Sequence, residues 1–294
     1  MPRFLLACLT FITLTLNASA DPAATPADSG PVLKVMTFNI RNSSAKDGAN
    51  HWTHRKELFV STIQKFDPDL LGLQEVLADQ YDDLHAAMPD YTPVGVARED
   101  GVRKGEWAEI MYRSSRFDPL DSGNFWLSEQ PEVVGSKGWD ASYVRICTWV
   151  RLRDHVTGKE FLFANTHFDN SGKVARVKSA QLLDERLPTL AKGAPIILTG
   201  DFNSIEDSEA YKALLHSSEK SENQLFDSYR EVHSERSPEE ASFNGFKPII
   251  AGSRIDWILH TQPFKAISAE IVRPAPGERF ASDHYAVTAV FKLP

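Results

Sequence analysis

Asn39, Glu75, Asp201, Asn203 and Asp283 offer three carboxylates and two amides, and His167 and His284 add two imidazoles. Oxygen donors of this kind suit Mg²⁺ or Mn²⁺, and the lack of a thiolate in the set argues against structural zinc. Imidazoles beside such an ion can move protons or steady developing negative charge. These residues lie far apart in sequence. They occupy short polar motifs in a fixed order: Thr37-Phe38-Asn39-Ile40, Leu73-Gln74-Glu75-Val76, Asn165-Thr166-His167-Phe168-Asp169, Gly200-Asp201-Phe202-Asn203-Ser204, Arg254-Ile255-Asp256-Trp257 and Ser282-Asp283-His284-Tyr285. Each motif adjoins an apolar run, which is where a packed sheet delivers side chains to a shared pocket. No single motif is specific; the ordered set is.

Glu75 is the firmest ligand candidate. It follows Leu70-Leu71-Gly72-Leu73, where a carboxylate is costly unless paired or metal-bound. The competing reading is a carboxylate at a helix start. Gly200 allows a tight exit from the strand Ile196-Ile197-Leu198. Asp201 and Asn203, two apart, share one side if the chain stays extended; an ordinary Asp/Asn turn is the alternative. A lone histidine is more often structural than catalytic. Asp283 beside His284, with Asp256 available to orient a ring, strengthens the catalytic reading for this pair. Arg145, Asp169 and Trp139 are the candidate substrate contacts. Arg145 heads an apolar strand and can aim a guanidinium at a phosphate, or serve as an edge-strand charge. Trp139, with Phe125 and Trp126, can stack on a base or sugar, or fill the core. His51-Trp52-Thr53-His54 is read as the solvated start of a helix.

The elements that must position these groups follow from periodicity. Strands are expected over 32–40, 69–73, 161–164, 195–198, 254–259, 266–272 and 286–291, with helices over 52–66, broken by Asp67-Pro68, over 79–88, over 174–190 with Val177, Leu182, Leu183 and Leu187 on its apolar side, and over 204–215. The stretch 91–150 alternates, with turn signals at Asp100-Gly101, Asp121-Ser122-Gly123 and Lys137-Gly138. Residues 221–240 are polar, a loop with one helical turn. Both halves alternate strand, polar motif and helix. Strands of both halves must meet for the motifs to share a site. The expected fold class is therefore α/β: a four-layer sandwich of two packed mixed or antiparallel sheets flanked by helices, occupying 32–294 as one domain.

The 294 residues carry a net charge of −8, with 42% hydrophobic and 10% aromatic content, ample for a core. Arg3, the apolar run Phe4 to Leu16 and Ala18-Ser19-Ala20 read as a secretory signal peptide over 1–20, followed by a flexible Ala/Pro/Asp/Ser linker over 21–31. Its removal takes Arg3 and Cys8, leaving a net charge of −9 and Cys147 alone, so no intrachain disulfide can form. No further apolar run reaches membrane length. The expectation is a secreted or periplasmic monomer. Its acidic balance disfavours broad electrostatic capture of nucleic acid, although a bound cation can reverse the field locally.

These motifs resemble the endonuclease/exonuclease/phosphatase superfamily, the deoxyribonuclease-I-like fold, over nearly all of 32–294. Thr37-Phe38-Asn39, Leu73-Gln74-Glu75-Val76, Thr166-His167, Gly200-Asp201-Phe202-Asn203, Arg254-Ile255-Asp256 and Ser282-Asp283-His284 carry the resemblance. It implies that Asn39 and Glu75 belong to a metal site, that Asp201 activates or positions water, and that Asn203 is a transition-state donor. It further implies that His167 binds phosphate, that Asp256 orients His284, and that Asp283 is a metal-site or orienting carboxylate. Part of the pattern is similar to the carbon catabolite repressor deadenylase and nocturnin branch. Phe125-Trp126-Leu127-Ser128-Glu129 and Gly135-Ser136-Lys137-Gly138-Trp139-Asp140 resemble an often exported bacterial branch. The expected activity is Mg²⁺- or Mn²⁺-dependent hydrolysis of a phosphoester. A phosphodiesterase or nuclease, including a 3'-5' exonuclease-like enzyme, leads. A phosphatase or sphingomyelinase-like phospholipase on sugar or lipid phosphates is the alternative, with a non-catalytic binding module as the third class. Nucleic acid, nucleotide, and lipid or sugar phosphate thus stand as substrate classes.

Overall fold

The computed structural model describes Met1 and residues 30–215, 223–275 and 277–293. The expected signal peptide and nearly all of the linker lie outside the described residues. The chain runs β1 (Val32–Asn39), α1 (Lys56–Phe66), β2 (Leu70–Val76), α2 (Ala78–Ala87), β3 (Tyr91–Val94), β4 (Trp107–Arg113), β5 (Phe117–Trp126) and β6 (Ile146–Asp154). It continues through β7 (Glu160–His167), α3 (Lys173–Ala191), β8 (Ile196–Asp201), α4 (Glu209–Leu215), β9 (Phe226–Asp227), α5 (Ser228–Val232), β10 (Asp256–His260), β11 (Lys265–Val272) and β12 (Ala286–Lys292). Among the described residues no helix is long and apolar enough to cross a membrane.

Two six-stranded sheets form, in the orders β11-β12-β1-β2-β4-β3 and β5-β6-β7-β8-β10-β9. Each contains one parallel pair, β1 with β2 and β7 with β8, among antiparallel neighbours. Parallel pairing brings the C-terminal ends of both strands to the same rim. Asn39 therefore lies opposite Gln74, next to Glu75, and His167 lies opposite Asp201. β10 runs the other way, so its first residue, Asp256, pairs with Asp201. His284 directly precedes Tyr285 and β12, beside β1. All six motifs thus reach one edge of the sandwich.

Three apolar layers hold the sheets and helices. Leu33, Val35, Phe163, Val150 and Phe291 pack between the sheets. Phe38, Phe59 and Ile63 join α1 and α2 to the first sheet, and Leu183, Leu187, Leu214 and Trp257 join α3 and α4 to the second. This is the four-layer sandwich expected from sequence. Directly beneath the rim the inter-sheet layer turns polar. Gln74 Nε2 donates to Thr37 Oγ1 (3.0 Å) and to Asn165 Oδ1 (2.7 Å), and Asn165 Nδ2 donates to Leu73 O (2.7 Å) and Glu109 O (2.8 Å). These fully buried bonds fix one sheet against the other where the motifs emerge.

Gly72 makes this approach possible: a Cβ there would lie 2.7 Å from Asn165 Oδ1 and closer still to Thr199 Oγ1. Gly200 has the same reason for being glycine. Its backbone is not left-handed; a Cβ would fall 2.6 Å from Thr166 O, so close packing rather than a tight exit demands it. Two other expectations change. The helix expected from Ser204 begins only at Glu209, because Asn203 (φ 46°) and Asp207 (φ 67°) are left-handed and interrupt helical geometry. The inward stripe of α3 comes from Ala175, Ser179, Ala180, Leu183 and Leu187, while Val177 and Leu182 sit at its margin. Small residues let α3 lie close to α4 and the sheet. His51 and His54 flank a short 3₁₀ turn that buries only Trp52.

Candidate active site

A cavity of about 520 Å³ opens at this rim, within the size range of small-molecule sites. Glu75, Asp201, Asn203, Asp283, His284, His167 and Arg145 all line it. Trp139 does not: it is half-buried, left-handed (φ 49°), and its amide is held by the Glu129 carboxylate at 3.1 Å. Phe125 and Trp126 are core residues. The aromatic walls of the cavity are instead Tyr143 and Phe243, both exposed.

Glu75 is placed by strain. Its φ is 64°, at an irregularity in β2–β4 pairing between Leu73 and Val76. A left-handed non-glycine residue costs on the order of 1–3 kcal/mol and persists only where its surroundings enforce it. Here the enforcing bonds come from Asn42 N (3.1 Å) and Asn42 Nδ2 (2.9 Å) to Oε2, and from Asn39 Nδ2 (3.2 Å) to Oε1. Burial pushes the Glu75 pKa up, but these amides and the nearby His284 bring it below its ordinary value. Asp283 has no such cradle: burial, reinforced by Glu75, raises its pKa. Arg41 Nε stands 3.6 Å from Asp283 Oδ2.

His284 Nδ1 is 2.9 Å from Asp256 Oδ2, and its Nε2 is 3.7 Å from Asp201 Oδ2. Burial opposes charge on the ring, yet the Asp256 and Asp201 carboxylates hold its pKa well above the usual histidine value. Asp201, almost fully buried, is pushed up to about 7, first by burial and then by Asp256. Its Oδ1 accepts from Asn203 N (2.9 Å) and its Oδ2 from Asn39 Nδ2 (3.0 Å). His167 behaves oppositely to His284. Burial, with Arg145 and Arg98 adding, drives its pKa well down and keeps the ring neutral.

Several candidates hold different posts from those expected. Asn203 does not stay extended. Its Nδ2 donates to Phe168 O (3.0 Å) and lies 3.0 Å from His167 Nε2, so it also positions His167 at the cavity wall. Asn39 Nδ2 bridges Glu75 and Asp201, while its Oδ1 accepts from Arg41 N (2.9 Å) and keeps its second lone pair, so it spaces the two carboxylates and still offers an oxygen to a cation. Asp169, 1% exposed, accepts from the amides of Tyr143 (3.0 Å), Ser171 (3.0 Å) and Gly172 (2.7 Å), with Arg145 Nε at 3.4 Å. It anchors the Arg145 loop and has no open face for substrate.

The Glu75 and Asp283 carboxylates line the cavity, and the Asn39 side chain adjoins Glu75. Burial raises the Asp283 pKa first and the Glu75 charge adds to it, a cost that a divalent ion would relieve, and an all-oxygen set fits Mg²⁺ or Mn²⁺. Asp201, Asp256 and His284 also lie close enough to encircle an ion. In that group the 2.9 Å His284 Nδ1–Asp256 Oδ2 bond already occupies one ring nitrogen. Sequence reading did not find Arg41, Asn42, Arg98, Glu106, Tyr143 or Phe243. Each sits outside the motifs, on a connecting segment or at a strand entry. It likewise missed the support beneath Asp256: fully buried Arg254 pairs with Glu206 and, at 2.7 Å, with Asp227 Oδ2.

Comparison with known proteins agrees with this geometry. A structure of an endonuclease/exonuclease/phosphatase from Bacteroides vulgatus superposes with a TM-score of 0.83 at 36% identity, covering 90% of this chain and 100% of that one. A mannosyl-6-phosphatase from Bacteroides thetaiotaomicron superposes with a TM-score of 0.79 at 39% identity, covering 87% of this chain and 98% of that one. Nocturnin of Rattus norvegicus is 26% identical over 219 residues, 65% of this chain and 48% of its own length. The chain spans about half the length of the first curated relatives it matches. The sequence profile of the Endonuclease/Exonuclease/phosphatase family matches residues 36–284, from β1 to the last polar motif, and the chain is a member of that family of phosphoester hydrolases.

Proposed function

We propose that this member is a metal-dependent phosphatase acting on phosphate monoesters of small polar molecules, with sugar phosphates as the substrate class. The observation that carries the hydrolytic reading is the adjacency of His284 Nε2 and Asp201 Oδ2, 3.7 Å apart, at a cavity that also holds Glu75 and Asp283. With Asp201 pushed up to about 7 and His284 held charged, a proton acceptor poised near neutral pH stands beside a donor, the pairing that attack at phosphorus and stabilisation of the charge it builds require. A divalent cation held by Glu75 and Asp283 would polarise a phosphoryl oxygen and screen the leaving oxygen.

This chain's own residues then divide the work. Asp201 takes the proton of an attacking water, and the Asn203 amide and Asn39 fix the orientation of its carboxylate. His284, oriented by Asp256, donates to an oxygen of the phosphate as charge builds. Arg145 is 4% exposed and its Nη1 has no hydrogen-bond partner among the described residues, leaving a guanidinium donor for the phosphate. The neutral pair His167–Asn203 packs beside Asp201, with His167 Nε2 3.4 Å from Asp201 Oδ2.

The monoester preference is supported by the 39%-identical mannosyl-6-phosphatase and by the acidic balance of the chain. A phosphodiesterase or nuclease is the second reading, favoured by the nocturnin and Ccr4 exoribonuclease relatives. Hydrolysis of p-nitrophenyl phosphate against bis(p-nitrophenyl) phosphate, with Mg²⁺, Mn²⁺ or EDTA, separates them. Metal-dependent monoester turnover is expected. Turnover of the diester alone transfers the assignment to the second reading, and EDTA-insensitive turnover refutes the metal. Asp201→Asn should lower kcat by about 10²-fold or more without unfolding the protein. Export to a secreted or periplasmic location is part of the proposal and rests on the apolar leader; N-terminal sequencing of protein recovered outside the cytoplasm should begin at Asp21.

A further inference from the structure

Resting on the phosphatase reading above, we infer that Arg98 and Glu106 form a hydroxyl-reading subsite that selects polyol phosphates over aryl or alkyl phosphates. Both residues line the catalytic cavity, yet neither belongs to the proton-transfer pair nor to the cation pocket. Arg98 is 8% exposed, and its Nη1 is paired with Glu106 Oε2 at 2.5 Å. The pair is built in. Arg98 N donates to Glu106 O (3.0 Å), and Arg98 O accepts from Trp126 Nε1 (2.6 Å), so the loop between them is closed on itself and pinned to the core. Tyr143 covers the guanidiniums of both Arg98 (5.5 Å) and Arg145 (5.6 Å) at the cavity rim.

The chemistry left over at this pair defines the ligand. Arg98 Nε has no hydrogen-bond partner among the described residues, although it is buried. The cavity lining therefore holds one uncommitted buried guanidinium donor beside the Glu106 carboxylate. A second phosphate would meet the Glu106 charge. An aryl group would desolvate the pair and return no hydrogen bond. Neighbouring hydroxyls on a sugar match both halves, donating to Glu106 and accepting from Arg98. A site that binds hydroxyls through buried polar groups rejects analogues lacking them far better than an apolar pocket rejects a wrong size.

The test compares kcat/KM for mannose 6-phosphate and other hexose 6-phosphates with kcat/KM for p-nitrophenyl phosphate, in wild type, Glu106→Gln and Glu106→Ala. The ratio of hexose phosphate to aryl phosphate should fall about 10- to 100-fold in Glu106→Ala and less in the near-isosteric Glu106→Gln, mainly through KM. A pair that only clasped its loop would lower both substrates together and leave the ratio unchanged, which overturns the inference. Should Glu106→Ala fail to fold, Glu106→Gln and competitive inhibition of the wild type by free hexose decide the matter; no inhibition together with an unchanged ratio refutes the subsite. Failure of the underlying reading looks different. Wild type would then hydrolyse diesters and no monoester, whereas failure of the subsite alone leaves metal-dependent p-nitrophenyl phosphate turnover with no preference for hexose phosphates.

Discussion

Replacing Asp169 by asparagine removes the charge of a buried carboxylate while keeping its shape. Burial alone would raise the pKa of this group. The amides of Gly172, Ser142, Tyr143 and Ser171 more than offset that and bring it from 3.8 to about 2. A gap of just under two units at about 1.4 kcal/mol each sets an upper bound of roughly 2.5 kcal/mol, which solvent screening lowers to roughly 2 kcal/mol of folding stability at pH 7. Asparagine mimics the protonated acid, so this is the expected loss. Because the folded pKa lies below the unfolded one, the contribution is full above the unfolded value and disappears as pH falls through about 2. Roughly half of it should remain at pH 3. Urea unfolding of wild type and Asp169→Asn at pH 7 and pH 3, with equal slopes, measures the difference directly. Equal stabilities at pH 7, or a difference that does not shrink at pH 3, would falsify the clasp. Activity supplies an independent check. Arg145 leans on Asp169 through a 3.4 Å contact, so KM for a phosphate ester should rise along with the loss of stability. An activity defect with wild-type stability would return Asp169 to the substrate-contacting role.

Gly72→Ala should destabilise the fold by about 1–3 kcal/mol in a denaturant titration, since its Cβ must push Asn165 and Thr199 off the sheet interface; a neutral result would show that the sheets have slack there. Glu75→Gln should weaken Mg²⁺ binding in isothermal calorimetry by at least about tenfold, and unchanged affinity would move the cation elsewhere in the cavity. Asp256→Asn should lower the pKa of His284, because Asp256 is the largest influence raising it. The proton donor is then lost at lower pH, so the alkaline limb of the kcat profile should shift toward acid; an unmoved limb would mean that another group donates.

The fold was legible wherever one short stretch decides its own state. Apolar runs such as Leu70-Leu71-Gly72-Leu73 and Ile196-Ile197-Leu198 are long enough to mark buried strands, and they appear as β2 and β8. Asp67 before Pro68 announced the end of α1 and closes it in the left-handed conformation, its N–H on Ile63 O at 2.8 Å. The start of α4 was not legible, because Asn203 and Asp207 tolerate helical and left-handed backbone alike and tertiary contacts chose the second. The inward stripe of α3 was read correctly at Leu183 and Leu187 but not at its small residues, for a related reason. Close packing against α4 favours Ala175, Ser179 and Ala180, and small residues give no hydrophobic signal.

The site shows a different boundary. Which residues converge was readable, since four motifs end strands whose parallel pairs bring their ends together, and the other two open strands antiparallel to these. What each residue does there depends on how many of its donors and acceptors remain free, and those are counted only after the partners are known. Asn203 looks like a free donor until Phe168 O takes one of its amide protons. Asp169 looks open until four amides close on it. Arg145 shows the converse: it resembles an edge-strand charge in sequence, yet burial leaves its Nη1 without a partner in the cavity wall. Arg98 and Glu106 fall at the far side of the same boundary. They belong to no motif, and only the fold sets an unpartnered donor beside a carboxylate in the cavity lining.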